Sequence, residues 1–103
     1  MGKYILLYRG PSVEFTPEMN EAWGMAWGKW MEKIGSALLD EGAPFGERGV
    51  VAESGAGGIP SEFTGYTIIQ ANSLSAAQSL AQGNPWIVGS STNKMDIFEL
   101  VAM

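Results

Sequence analysis

The chain has 103 residues, no cysteine and no histidine, and its 11 acidic residues outnumber 6 basic ones, for a net charge of −5. Those values describe one globular domain over residues 1–103. They exclude disulfides, zinc–thiolate sites, Ser–His or Cys–His nucleophile pairs and histidine–metal chemistry. No basic cluster is present, so nucleic acid is not an expected partner: its binding rests on Lys and Arg neutralising phosphates.

The first segment, KYILLYRG (3–10), reads as a strand stopped by Gly10-Pro11. Tyr4, Leu6 and Tyr8 alternate with Ile5, Leu7 and Arg9, so both faces are mostly apolar and the strand reads as central. YILLY is too short for a secretory core or a membrane span, which makes the cytoplasm the expected location and a membrane an unexpected partner.

A helix follows. Thr16 is a good N-cap, Pro17 suits the first helical position, and Glu18 and Glu21 favour the positive end of the macrodipole. It is expected to run to about Glu41, where Gly42 supplies the stop and Pro44 prevents resumption. GERGVVAE (46–53) reads as the second strand, and SGAGGIPSEF as a flexible connection. Its GAGG run has the makings of an anion nest, but no helix follows it.

TGYTIIQAN (64–72) reads as the third strand. Ser73 then caps a second helix whose apolar face is Leu74, Ala77, Leu80 and Ala81, ended by Gly83 and Pro85. After the loop PWIVGSSTN comes the last strand, KMDIFELVA (94–102). The order β-α-β-β-α-β is the ferredoxin-like pattern: an α+β fold with a four-stranded antiparallel sheet and two helices on one face.

The first helix holds the most distinctive pattern. At about 100° per residue, Met19, Trp23, Trp27, Trp30, Ile34 and Leu38 share one stripe that faces the sheet. Such a stripe serves as core, subunit interface or pocket wall. A buried indole N–H needs an acceptor, so some of these indoles are expected at a pocket rim. Gly24, Gly28 and Gly35 form a second stripe, each costing roughly 1 kcal/mol relative to Ala. They suggest either a close approach by a neighbouring group or room needed by the broad indoles.

Both helices are expected on one sheet face, yet the strands are apolar on two. The last strand has Ile97 and Val101 on one side, Phe98 and Leu100 on the other. An uncovered apolar face marks an interaction surface, and the simplest cover is a homodimer packed sheet against sheet.

KYILLYRG, PFGERGVV, TGYTIIQANSLSAAQSLAQGNP and MDIFELVAM together resemble the YCII-related proteins over nearly the whole chain. The most specific part is the Gly65-Tyr66 strand, the Ser73-Leu74 helix start, the Gly83-x-Pro85 stop and a final strand bearing Glu99. The resemblance implies a dimeric α/β barrel. It also implies small-molecule chemistry of the dehalogenation or lactone type, through a His–Asp pair. This chain has no histidine, so that mechanism does not carry over. Relatives often read G-C-P or G-H-P where this chain has Gly83-Asn84-Pro85, which implies a ligand-facing place for Asn84.

The groups left for acid–base work are carboxylates, Tyr, Lys and Arg. Glu53 becomes a base if indoles wall it and raise its pKa. Glu99 shares a face with Ile97 and is expected to pair with Arg9 or Arg48. Tyr4, Tyr8 and Tyr66 present hydroxyls to a cavity or pack in the core. The ligand-binding candidates are Tyr8, Trp23, Trp27, Glu53, Tyr66 and Asn84. No catalytic residue, metal site or cofactor motif is assigned. The expected function is binding of a small apolar or aromatic molecule between the Trp helix and the sheet. The alternatives are a non-catalytic interaction or regulatory module, and a cofactor-free lyase, isomerase or oxygenase using carboxylate and Tyr groups.

Overall fold

Every second side chain of β1 (Gly2–Arg9) is buried from Tyr4 through Leu6 to Tyr8. The same parity runs through β5 (Phe63–Ala71), where Gly65, Thr67, Ile69 and Ala71 are buried. The computed structural model describes residues 1–10, 17–88 and 90–102. In it β1 lies between β5 and β6 (Lys94–Leu100), and β2 (Leu38–Pro44) pairs with the far edge of β5. All three pairings are antiparallel, in the order β2-β5-β1-β6. With α1 (Pro17–Ile34) and α2 (Leu74–Ala81), this is an α+β fold compatible with the ferredoxin-like pattern.

The core lies under the helices. Leu6 and Ile69 from the sheet meet Trp30 and Ile34 of α1 and Ala77 and Ala81 of α2. The small alanines let α2 sit close to the strands. Trp30 satisfies its indole N–H by donating to the Leu80 carbonyl at 3.0 Å, which ties the two helices together. Ser73 caps α2 as expected, its hydroxyl accepting from the Ala76 N–H at 3.1 Å. The cap expected for α1, Thr16, lies outside the described residues, as does Pro11.

Helix α1 is shorter than its apolar pattern predicts. It ends at Ile34, not near Glu41, and passes through the 3-10 turn Gly35–Ala37 into β2. Gly35 has φ +55°, the left-handed conformation that stops a helix and that glycine adopts without steric cost. Leu38 onward then finds backbone partners on β5. Gly42, expected to end the helix, instead forms a bulge in this strand. Its φ is +77°, and a Cβ there would stand 1.7 Å from the Tyr66 carbonyl oxygen. The Asp40 carboxylate accepts from the Gly42 N–H at 2.8 Å and holds the bulge.

The expected second strand, 46–53, is therefore not part of the main sheet. Only β3 (Val51–Ala52) is extended there, and it pairs with β4 (Gly55–Ala56) in a separate two-stranded hairpin. The described side chains of residues 45–59 are all exposed, Val51 at 87% and Ile59 at 95%. At the base of this arm the Arg48 guanidinium donates to the Ser61 and Phe63 carbonyls.

The helix-free face is mixed. Ile5, Leu7, Tyr66 and Ile68 are half-buried and Phe98 is 53% exposed. Among them the Arg9 Nε lies 2.8 Å from Asp96 Oδ1, and a second Arg9 nitrogen lies 3.8 Å from Glu62. Glu99 thus does not pair with Arg9 or Arg48. Strand register explains this: Glu99 lies opposite Tyr4 on the helix-covered side, whereas Arg9 sits at the other end of β1 and on the other face. The second glycine stripe is also corrected. A Cβ on Gly24, Gly28 or Gly35 would meet nothing within 4 Å among the described residues, so no close approach from within the described part of the chain explains them. No helix among the described residues is long and apolar enough to cross a membrane.

Candidate functional site

Strand parity puts Tyr8 and Thr67 on the helix-covered face of adjacent strands, their hydroxyls 2.6 Å apart. Thr67 spends its single proton on the Glu41 carbonyl, 3.0 Å away. The Tyr8 hydroxyl must therefore be the donor to Thr67. It accepts in turn from the Asn84 side-chain amide at 3.2 Å. The other end of that amide, Asn84 Oδ1, accepts from the Trp86 N–H at 2.8 Å, which fixes the orientation of the side chain. A directed chain results: Asn84 to Tyr8 to Thr67 to Glu41.

Asn84 is fully buried, and the end of α2 holds it there. Its N–H donates to the Ala81 carbonyl at 3.0 Å, and its own carbonyl accepts from Ile87 and Val88 at 3.2 Å each. This tight turn delivers Trp86 to the far side of Tyr8. The Trp86 indole N–H is shared between the Arg9 and Lys94 carbonyls, both at 3.0 Å, where β1 and β6 end.

Four rings make a continuous wall. Centroids lie 5.5 Å apart for Tyr8–Trp27, 5.7 Å for Trp27–Trp23, 6.4 Å for Trp23–Trp86 and 5.9 Å for Trp86–Tyr8. Trp30 continues the row edge-on to Trp27 at 5.9 Å. All but one of these are the favoured edge-to-face contacts of aromatic quadrupoles, and Trp86 is tilted against Tyr8 at 52°. The wall borders a cavity of about 330 Å³. Met31 and the strand segments 41–44 and 64–67 complete its lining. The Trp27 indole N–H is buried without a hydrogen-bond partner among the described residues.

Of the six sequence-derived candidates, Tyr8, Trp23 and Trp27 border the cavity, and Tyr66 belongs to the strand segment that lines it while strand parity turns its ring to the helix-free face. The Tyr66 ring stacks on Phe45, and its hydroxyl points to Asp40 at 3.4 Å, so it takes no part in the Tyr8 chain. Asn84 stands one hydrogen bond behind the lining. Glu53 is not brought in: it occupies the exposed turn between β3 and β4, with no indole wall around it. Trp86, Thr67 and Glu41 were not legible as site residues. Thr67 had a signal, since it shares the parity of Ile69. Trp86 had only its place after Asn84-Pro85 in a segment that reads as loop.

Burial pushes the Tyr8 hydroxyl above its ordinary value of 10.0, with the hydrogen bonds to Thr67 and Asn84 acting the other way. Tyr8 is thus a neutral phenol at physiological pH. Its proton leads to a backbone carbonyl, which cannot carry it further. The chain orients Tyr8 rather than relaying protons. Among the described residues neither Lys nor Arg lines the cavity, and Glu41 is the one acidic residue there. In comparisons with known proteins, no family model, curated protein or solved structure matches this chain.

Proposed function

We propose that the chain is a small-molecule binding protein that holds an apolar or aromatic compound between the tryptophan face of α1 and the β2–β5 side of the sheet. One observation carries the reading: a cavity of about 330 Å³ whose wall is built from Tyr8, Trp23, Trp27 and Trp86. Ligand sites of roughly 300–1,000 Å³ are mostly apolar and contain a few fixed polar groups. The Asn84–Tyr8–Thr67 chain supplies such a group, immobilised before any ligand arrives. Binding is favoured over turnover as a cofactor-free enzyme. The family-type histidine is missing, and Tyr8 holds its proton.

The working form is a homodimer of the dimeric α/β barrel type, in keeping with the resemblance to YCII-related proteins. Ile5, Leu7, Ile68 and Phe98 on the helix-free face support it, because a second copy would take them out of water. Light scattering should then give twice the 11.0 kDa of one chain.

Calorimetric titration with a panel of neutral, cationic and anionic aromatic compounds tests the site. At least one class should bind saturably and lose that binding in Trp86→Ala. Flat heats across the whole panel up to millimolar concentration would overturn the cavity reading. A mass of one chain at every concentration would overturn the dimer.

A further inference from the structure

Resting on the cavity reading above, we infer that the bound molecule carries a positive charge, as a quaternary or protonated ammonium group attached to its apolar or aromatic body. Three features converge on this chemistry. The wall is aromatic on the scale a cation requires. An ammonium within roughly 6 Å of a ring centroid is held by the negative face of the ring, most strongly by indole. Three of the four rings here are indoles, and all four centroids fall in one chain of 5.5–6.4 Å steps. Successive planes meet at 86°, 72°, 69° and 52°, so the four rings do not lie in one plane.

The ionisable residues have the matching sign. Among the described residues Glu41 is the one ionisable group besides tyrosine at the cavity, with its carbonyl held by Thr67 and its side chain exposed at the edge, and no Lys or Arg lines it. Arg9 belongs to Asp96 and Glu62 on the other face of the sheet, and Arg48 is engaged with carbonyls at the base of the arm. A carboxylate or phosphate ligand would find no counter-charge here and would face the negative side of the indoles. The whole chain, at −5, attracts cations and repels anions over longer range.

The polar partners agree as well. The Tyr8 hydroxyl has given its proton to Thr67 and accepts one from Asn84, so toward a ligand it can act only as an acceptor. An oxygen with a lone pair to offer suits an ammonium N–H or the polarised methyls of a quaternary nitrogen. The buried Trp27 indole N–H, without a partner among the described residues, suits an acceptor atom on the body of the same ligand.

Three probes of similar shape separate charge from shape: (3-hydroxyphenyl)trimethylammonium, its neutral isostere 3-tert-butylphenol, and the anion 3-tert-butylbenzoate. Calorimetry on the full chain should find the cation bound roughly 2- to 30-fold more tightly than the neutral isostere, the range a cation over indole gives from exposed to desolvated sites. The anion should be weakest. Trp23→Leu should erase most of that preference and Trp23→Phe should keep part of it, while both still bind 3-tert-butylphenol, which shows that the variants are folded. Glu41→Gln should lower the affinity for the cation alone. If the neutral isostere or the anion binds as tightly as the cation, the inference about charge is overturned and the cavity reading stands. If none of the three binds, the cavity reading falls and this inference with it.

Discussion

Leu6 and Ile5 are neighbours in the same strand, of nearly the same size and equally apolar, and their surroundings differ completely. Leu6 is fully buried with Trp30, Ile34 and Ile69 in its core cluster. Ile5, facing the other way, is half-buried beside Phe98, which is 53% exposed. The covered face carries a buried directed chain of polar groups from Asn84 to Glu41. The open face instead carries a partly exposed ion pair, Arg9 with Asp96. Alternation along a strand therefore tells which residues share a face. Whether that face is covered depends on a second element that brings its own apolar stripe, and the helices supply only one.

The largest effect is expected where the covered face is opened. Leu6→Ala should cost about 2–5 kcal/mol in urea unfolding, because the site loses both transfer energy and packing that the surrounding rings cannot recover. Ile5→Ala provides the contrast. Under the dimer proposal its cost grows with protein concentration, and Phe98→Asp shifts the assembly to single chains without unfolding them. A small Ile5→Ala cost, equal at micromolar and millimolar protein, would mean that this face stands uncovered.

Next in size is the buried polar chain. Asn84→Ala leaves the Trp86 backbone N–H without its acceptor and takes from the Tyr8 hydroxyl one of its two hydrogen bonds, a loss of about 1–3 kcal/mol. Asn84→Asp discriminates between the two bonds. It still accepts from Trp86 but cannot donate to Tyr8 as a carboxylate, so it should recover only part of the loss. Full recovery would remove the Tyr8 bond from the account.

The parts of the fold that sequence predicts are those fixed by local chemistry. The parity of β1 and β5, the Ser73 cap and the stop after α2 all follow from residues next to one another. The end of α1 does not. Trp30, Ile34 and Leu38 keep a helical spacing across Gly35, so periodicity alone carries the helix onward. What converts Leu38–Pro44 into an edge strand is a row of backbone partners on β5, distant in sequence. Gly42 shows the same limit, since its role as a stop and its role in a bulge call for the same residue. At the site, the Trp stripe pointed to Trp23 and Trp27. Trp86 stayed hidden because nothing periodic surrounds it and a fully buried asparagine delivers it. Glu53 is expected at the end of a main-sheet strand, but that segment forms only the two-residue β3 of a separate exposed hairpin.

A smaller effect is expected on the open face. Arg9 and Asp96 keep about a third of their side-chain surface in water, 32% and 30%. Arg9→Met should therefore cost about 0.2–1 kcal/mol, less in high salt. A loss well beyond that range would show the pair to be buried by a second copy, where removing one partner strands the other charge.

The smallest effect is absent at neutral pH and tests the covered face most selectively. The Tyr8 hydroxyl is raised above 10.0 by burial in the folded chain and titrates near its ordinary value once unfolded. Between those two values the folded chain keeps a proton that the unfolded chain has released. Stability changes with pH in proportion to protons bound unfolded minus protons bound folded, a difference that is negative in this window. The contribution is thus fully present below about pH 10 and is lost as pH rises through the folded value. Tyr8→Phe has no such proton, so its urea midpoint should fall less steeply over this alkaline window than that of the parent chain. Other groups titrating there are common to both chains, and the difference between the two curves isolates Tyr8. Parallel curves would mean that water reaches the Tyr8 hydroxyl, and the covered face would then be wetter at its centre than Leu6 and Ile69 require.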